Sequence, residues 1–251
     1  MGSFGKKTNW VAVPEENSYV TRLLIHVEGE TEETFVNELL APHLYQSGYL
    51  SVSARLIGNS RQRDRRGGIR AWSSVRNDIL NHLREDTGCL ATTLVDYYAL
   101  PQGGPRAWPD RQLAGRLPFA EKSVTVEKAL LADIRSLMDA DFDSRRFLPF
   151  VMIHEFEGLL FSDCASFGRG IGRPDLIPSL QAVRDQFNSP EEINDSPETA
   201  PSKRVRAIIP EYEKPLFGTL AALEIGLDVI RAECPHFRQW LEKLESLASL
   251  L

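Results

Sequence analysis

Cysteine is scarce in this chain: three in 251 residues, Cys89, Cys164 and Cys234, odd in number and far apart. Neither a disulfide framework nor a zinc cluster is indicated, and a reducing, cytoplasmic compartment is expected. Long apolar runs are missing too. A membrane-spanning helix needs roughly 18 consecutive apolar residues. The longest candidates, Phe150 to Ile153 and Gly158 to Phe161, are split by His154, Glu155 and Glu157. The start of the chain lacks an apolar h-region, so no secretory signal is expected. Met1-Gly2 opens like a myristoylation signal, but Lys6 stands where Ser or Thr is wanted. No membrane partner is expected. There is no internal repeat, no low-complexity tract, and no Gly-Lys-Ser/Thr ending of a P-loop.

What is present is the balance of an ordinary globular protein, 42% hydrophobic and 25% charged, which excludes wholesale disorder and collagen-like structure. The length suits one domain, or one with appendages, and can bury a full core. The net charge of −6 hides an asymmetry. Between Arg55 and Arg76 lie seven arginines (Arg55, Arg61, Arg63, Arg65, Arg66, Arg70, Arg76) against Asp64 alone. That stretch is +6 and the remainder −12. A general nucleic-acid coat is excluded; a local phosphate-binding strip is not. The guanidinium fork matches phosphate oxygens in two-pronged fashion. Gly67-Gly68 can expose main-chain N–H groups to an anion. Arg61, Arg63, Arg65, Arg66 and Arg70 are the phosphate-facing candidates, with Lys203 and Arg204 a second basic point and Lys122 a weaker third. Trp72 and Trp108 could stack on bases; Trp240 belongs in the core.

Residues 1–21 read as a tail or an accessory strand. Leu23 to Val27 is a strand ending at Glu28-Gly29. Thr31 to Gly48 reads as a helix capped by Thr31, with Phe35, Leu39, Leu40 and Leu44 on one face. Val52 to Ile57 is a second strand. A helix from about Ser73 to Arg84, a strand from Thr92 to Val95 ending at Asp96, and a Pro/Gly-dense loop over 99–118 follow. A helix from about Val124 to Met138 leads to a fourth strand, Phe147 to Ile153. Residues 162–215 read as an excursion with short helices near Leu176 to Phe187 and Lys203 to Ile209. Residues 216–247 read as two helices interrupted near Cys234-Pro235. The order is β-α-β-α-β-α-β, an α/β domain over 22–161 with a mainly parallel four-stranded sheet flanked by helices. The loop-rich, mostly helical extension of 162–251 is expected to pack on it.

Three apolar strands end in acids: Glu28, Asp96, and Glu155 or Glu157 after His154. In a parallel sheet the carboxyl ends share one edge, where ligands bind. Two charges about 4 Å apart repel by roughly 4 kcal/mol at an effective dielectric near 20. Three carboxylates therefore need raised pKa values or a cation. Oxygen ligands suit Mg²⁺ or Mn²⁺, and such an ion can activate water at a phosphate. The plainer alternatives are turn and helix-cap roles. If the fourth strand continues, Glu155 and Glu157 share one face; if a helix starts at Glu155, both crowd its first turn. Glu32 is a weaker, supporting candidate.

Ile25-His26-Val27-Glu28-Gly29-Glu30-Thr31-Glu32 resembles the first motif of the Toprim domain, and Leu94-Val95-Asp96-Tyr97-Tyr98 stands where that superfamily has Asp-x-Asp. The Val-Glu-Gly-x-Thr-Glu form is most similar to the branch of OLD-family nucleases. With His154-Glu155-Phe156-Glu157-Gly158-Leu159-Leu160-Phe161 and Ala200-Pro201-Ser202-Lys203-Arg204, the set resembles a bacterial Toprim-like family of unknown function. Genes of that family often lie beside ATPase genes of the ABC/AAA type in antiphage defence regions. The likeness covers about residues 22–245. It implies a Toprim-like fold, Glu28 as metal ligand or general base, Asp96 as metal ligand, and the His154 block as part of the site. Tyr98 replaces the second Asp of the Toprim pair, one carboxylate fewer. Two functions follow. One is a Mg²⁺- or Mn²⁺-dependent nuclease with Glu28, Asp96, Glu155 and Glu157 as ligands and His154 as acid or base, partnered by nucleic acid and an ATPase. The other is a catalytically inactive module that binds and regulates an ATPase or nucleic acid.

Overall fold

The computed structural model describes residues 21–57, 69–193 and 199–248. One sheet holds β1 (Arg22–Val27), β2 (Ser51–Leu56), β3 (Cys89–Asp96), β4 (Phe147–Leu148) and β5 (Val151–Met152). Its order is β2-β1-β3-β4, with β5 also on β3, and every pairing is parallel. The helices are α1 (Glu30–Phe35), α2 (Ala41–Gln46), α3 (Trp72–Glu85), α4 (Arg111–Ala114), α5 (Phe119–Leu137) and α6 (Cys164–Gly170), then α7 (Ile177–Arg184), α8 (Pro201–Ile208), α9 (Thr219–Ile225), α10 (Leu227–Glu233) and α11 (Pro235–Ala248). No helix among the described residues is long and apolar enough to cross a membrane. Of the stretch read as a tail or accessory strand, residues 1–20 lie outside the described residues.

The α/β reading holds, and the reason is visible in β3. All eight of its residues are buried, as expected of a strand covered on both faces. Leu90 and Leu94 enter a core shared with Phe35 and Leu44 of the first helices and with Phe167, Ile230, Phe237 and Trp240 of the C-terminal ones. Ala91 and Val95 face the opposite way, against Val75 and Ile79 of α3 and Val126 and Leu130 of α5. The C-terminal helices thus share one core with the sheet.

Four details depart from the sequence expectations. The fourth strand splits at Pro149, which has no N–H for a ladder. Neighbouring threonines of β3 fill the gap. The Thr93 hydroxyl accepts the Phe150 N–H at 2.9 Å and donates to the Phe150 carbonyl at 2.8 Å, while the Thr92 hydroxyl donates to the Leu148 carbonyl. The first long helix contains a wide π turn, Val36–Leu40, in which the Ala41 N–H reaches back to the Val36 carbonyl. It precedes Pro42, whose missing N–H and bulky ring disfavour the regular i→i−4 pattern. Its cap is Gly29, not Thr31; the Glu32 carboxylate reaches back to the Gly29 N–H at 3.1 Å. A further break separates α9 from α10 at Gly226, where φ is 81° and a side chain would be strained.

The loop over 99–118 carries a 3₁₀ turn, Gly104–Arg106, and α4. Trp108 is buried and donates to the Arg70 carbonyl at 3.1 Å; Trp72, beside it, donates to Asp133 at 2.6 Å. Both are core residues rather than base-stacking platforms. Trp240 is core as well, its indole N–H donating to Thr92 Oγ1 at 3.0 Å.

Candidate functional site

The sheet register gathers the acids. Val27 pairs with Leu94, and β3 runs two residues further to Asp96. Glu28 therefore leaves β1 beside the end of β3, and the Asp96 main-chain N–H hydrogen-bonds its carboxylate. Asp96 pairs with Met152 of β5. The chain then turns at His154, a non-glycine at φ 68°, and enters a 3₁₀ stretch, Phe156–Ser162, with Glu155 at its cap position. This local turn separates the two glutamates. Glu155 accepts the Ser202 N–H at 2.9 Å, at the N-terminus of α8, where a carboxylate is favoured by unpaired N–H groups and the helix dipole. Glu157 turns inward and is buried.

At the centre of the acids stands an ammonium group. Lys214 Nζ lies 2.9 Å from Glu32 Oε1, 3.0 Å from Asp96 Oδ2 and 3.7 Å from Glu157 Oε2. It arrives on a π turn, Lys214–Gly218. That turn packs close to α1 at Gly218, where a Cβ would meet the Tyr212 hydroxyl at 3.0 Å and Thr31 Cγ2 at 3.3 Å. The other Asp96 oxygen accepts the Phe156 N–H at 2.8 Å. Among the described residues no three His, Cys, Asp or Glu side chains are arranged to hold a metal ion. Of the expected set Glu28, Asp96 and Glu155 or Glu157, the structure brings Glu28, Asp96 and Glu157 together with Glu32 around Lys214, while Glu155, expected as a ligand, is drawn away to the N-terminus of α8.

The electrostatics follow from burial. Desolvation pushes the Glu28 carboxyl up to about 7; Lys214 opposes the shift, and Glu32 and Glu157 reinforce it. Asp96 and Glu157 are likewise raised, first by burial, with Lys214 pulling them back. Burial alone would lower Lys214, but Asp96, Glu157, Glu32 and Glu28 outweigh it and hold the ammonium well above its ordinary range. Within the cluster three polar atoms are buried without a hydrogen bond: Glu32 Oε1, which instead ion-pairs with Lys214, and Glu28 Oε2 and the Tyr212 hydroxyl. Tyr212 is electrostatically coupled to Glu157, Lys214 and Glu32. Unpaired buried oxygens are costly; of these, Glu28 Oε2 is a carboxylate donor of the kind that suits Mg²⁺ or Mn²⁺, whereas burial keeps the Tyr212 phenol neutral.

The other candidates fall outside the cluster. His154 is buried, its ring stacked on Tyr98 at 5.2 Å and beside Phe119 at 5.5 Å. Arg61, Arg63, Arg65 and Arg66 lie outside the described residues. Arg70 donates to the Ile57 carbonyl at 3.2 Å and ion-pairs with Asp78. Lys203 is exposed on α8, while Arg204 lies over the Phe187 ring at 5.2 Å. Lys122 is buried on α5. Lys214 was missed by sequence reasoning. One signal was available in the sequence: a lysine between Glu213 and Pro215 in an acidic stretch, where clustered acids call for raised pKa values or a cation.

Fold and site define a parallel α/β protein with a lysine-closed acidic cluster at the carboxyl edge of its sheet. The chain belongs to the family described as Domain of unknown function (DUF4276), which it matches over residues 27–245. No curated protein matches it significantly. Among solved structures it is similar to the C-terminal region of the Burkholderia pseudomallei OLD protein (18% identity, 91% of this chain and 99% of that one, TM-score 0.48). It is also similar to the C-terminal region of the Xanthomonas campestris pv. campestris OLD protein (18% identity, 92% and 95%, TM-score 0.44).

Proposed function

We propose that the protein is a Mg²⁺- or Mn²⁺-dependent nuclease of Toprim type that hydrolyses phosphodiester bonds at the Glu28–Asp96–Glu157 cluster. The observation that carries this reading is the meeting of four acids from distant parts of the chain, Glu28, Glu32, Asp96 and Glu157, at the carboxyl edge of the sheet. Glu28, Asp96 and Glu157 are the residues that would hold the ion. When bound, it would neutralise charge on a phosphate oxygen and lower the pKa of an attacking water. As the alternative to binding the ion, Glu28 would serve as general base, its carboxyl raised to about 7 by burial. Lys214 contributes positive charge where phosphate charge develops. His154 is retained as a candidate acid or base. The arginine strip, with Lys203 and Arg204, would hold the backbone of the nucleic acid. The motif resemblance extends the reading to a cytoplasmic effector acting with an ABC/AAA-type ATPase in antiphage defence.

The test is cleavage of plasmid, single-stranded DNA and RNA with Mg²⁺ or Mn²⁺, with and without the ATPase, comparing wild type with Glu28→Ala. Loss of cleavage in the variant supports the reading; equal activity in both proteins removes it. Tyr98 in place of a second Asp favours the other reading, a non-catalytic module that regulates an ATPase or nucleic acid. Calorimetric titration with Mn²⁺ separates the two, since a folded protein without saturable binding is the module.

A further inference from the structure

We infer that Arg206, together with Lys203, forms an outer basic face of α8 that holds the phosphates of a nucleic-acid strand beside the acidic site. The inference rests on the nuclease reading and names the substrate-binding face of that same site. α8 is tied to the site at both ends. At its start, the Ser202 N–H donates to the Glu155 carboxylate at 2.9 Å. At its end the chain turns at Ile209, whose carbonyl accepts the Tyr212 N–H at 3.0 Å, and reaches Lys214 two residues later. The inner face of this segment is apolar, with Pro201, Val205 and Ile209 buried. Lys203 and Arg206 are exposed, and residues three apart on a helix are neighbours on one face. Arg206 also lies within electrostatic reach of Tyr212, as do Glu157, Lys214 and Glu32.

No acid neutralises these two cations. In the rest of the C-terminal half the arginines are answered by neighbours: Arg145 pairs with Asp143, Arg169 with Glu224, Arg173 with Asp175 and Glu211, and Arg184 with Glu233. Among the described residues the Lys203 and Arg206 side chains make no ion pair or hydrogen bond. Arg204, between them, is engaged elsewhere: its guanidinium lies over the Phe187 ring at 5.2 Å and donates to the Thr199 carbonyl at 3.3 Å. The residue that joins Lys203 on the outer face is therefore Arg206. In a chain of net charge −6, a polyanion is held only where positive charge is local and unpaired. α8 supplies that condition, with three basic residues and no acid. A free guanidinium can meet phosphate oxygens through two N–H groups at once.

The test measures binding of fluorescein-labelled single-stranded DNA to the full-length protein by anisotropy, in EDTA so that no strand is cut, between about 50 and 200 mM salt. Each phosphate contact contributes roughly 0.7 to the slope of log affinity against log salt for a single strand. Arg206→Ala and Lys203→Ala should each lower that slope by about this amount, and the double variant by about twice it. Arg206→Lys keeps the charge and should keep the wild-type slope. Lys243→Ala removes an equal charge from the exposed side of α11 and should leave the slope unchanged. Every changed side chain is exposed, and an unchanged melting temperature verifies each fold. A wild-type slope in both Arg206→Ala and Lys203→Ala overturns the inference and leaves the nuclease reading standing. An equal drop in Lys243→Ala overturns it as well, since net charge rather than α8 then sets the affinity. Folded wild type that binds no DNA removes both the inference and the reading beneath it.

Discussion

Replacing Lys214 by Met preserves most of the side-chain volume and deletes the charge around which the site is built. The Lys214 side chain is 25% exposed, against 2%, 7% and 4% for Glu32, Asp96 and Glu157. At an effective dielectric near 20, each ~3 Å contact is worth about 5 kcal/mol gross. Much of that offsets desolvation, and deleting one partner from a buried ionic cluster costs about 3–5 kcal/mol. At about 2–4 °C per kcal/mol for a chain of this size, the melting temperature should fall by roughly 6–20 °C. The loss should depend on pH. Asp96, Glu157 and Glu28 are raised above their ordinary values while Lys214 holds them down, so without it they rise further. Acids with raised folded-state pKa values penalise the fold at high pH and release the penalty as protons bind on lowering the pH. Urea denaturation at pH 8 and pH 5 should give a large deficit at the first and a smaller one at the second. A deficit under about 1 kcal/mol, or one equal at both pH values, would refute the idea that Lys214 neutralises buried acids.

Thr93→Val removes the hydroxyl that serves both the N–H and the carbonyl of Phe150; leaving these buried groups unpaired should cost about 2–4 kcal/mol in chemical denaturation. His236 binds Glu127 at 2.9 Å, and although burial opposes it, Glu127 and Glu191 raise its pKa above 6.5. Its contribution is therefore full below pH 6.5 and lost as pH rises through the folded value. The stability gap between wild type and His236→Gln should be widest below pH 6.5 and narrow above it; a gap that widens with pH contradicts the assignment. Burial pushes the thiols of Cys89 and Cys164 up to about 11 and 12, and that of Cys234 higher still. Thiol-reactive dyes should label all three slowly in the native protein and rapidly in denaturant; fast native labelling would show a looser core.

Much of the architecture was legible before any coordinates. Short branched apolar runs alternating with helical periodicity can be satisfied only by a parallel sheet covered on both faces, and the burial of every residue in β3 is that condition met. Parallel topology then carried Glu28 and Asp96 to one edge with no contact between them written in the sequence. Prolines were legible as residues but not as consequences. Pro42 opens a π turn and Pro149 splits a strand because each withholds an N–H, and how the chain compensates depends on what lies alongside. At Pro149 two threonine hydroxyls of the neighbouring strand do so.

The sequence by itself determined the strand-end acids Glu28 and Asp96, because local apolar patterning fixes where strands stop, and the need for either raised pKa values or a cation among clustered acids. Tertiary structure alone decided which acid turns inward. A left-handed turn at His154 sends Glu155 to the N-terminus of α8 and Glu157 to the cluster. It also decided that the cation is Lys214, 118 residues beyond Asp96. No local pattern links two positions so far apart; only the packing of the Lys214 turn against α1, through Gly218, brings the ammonium to the carboxylates.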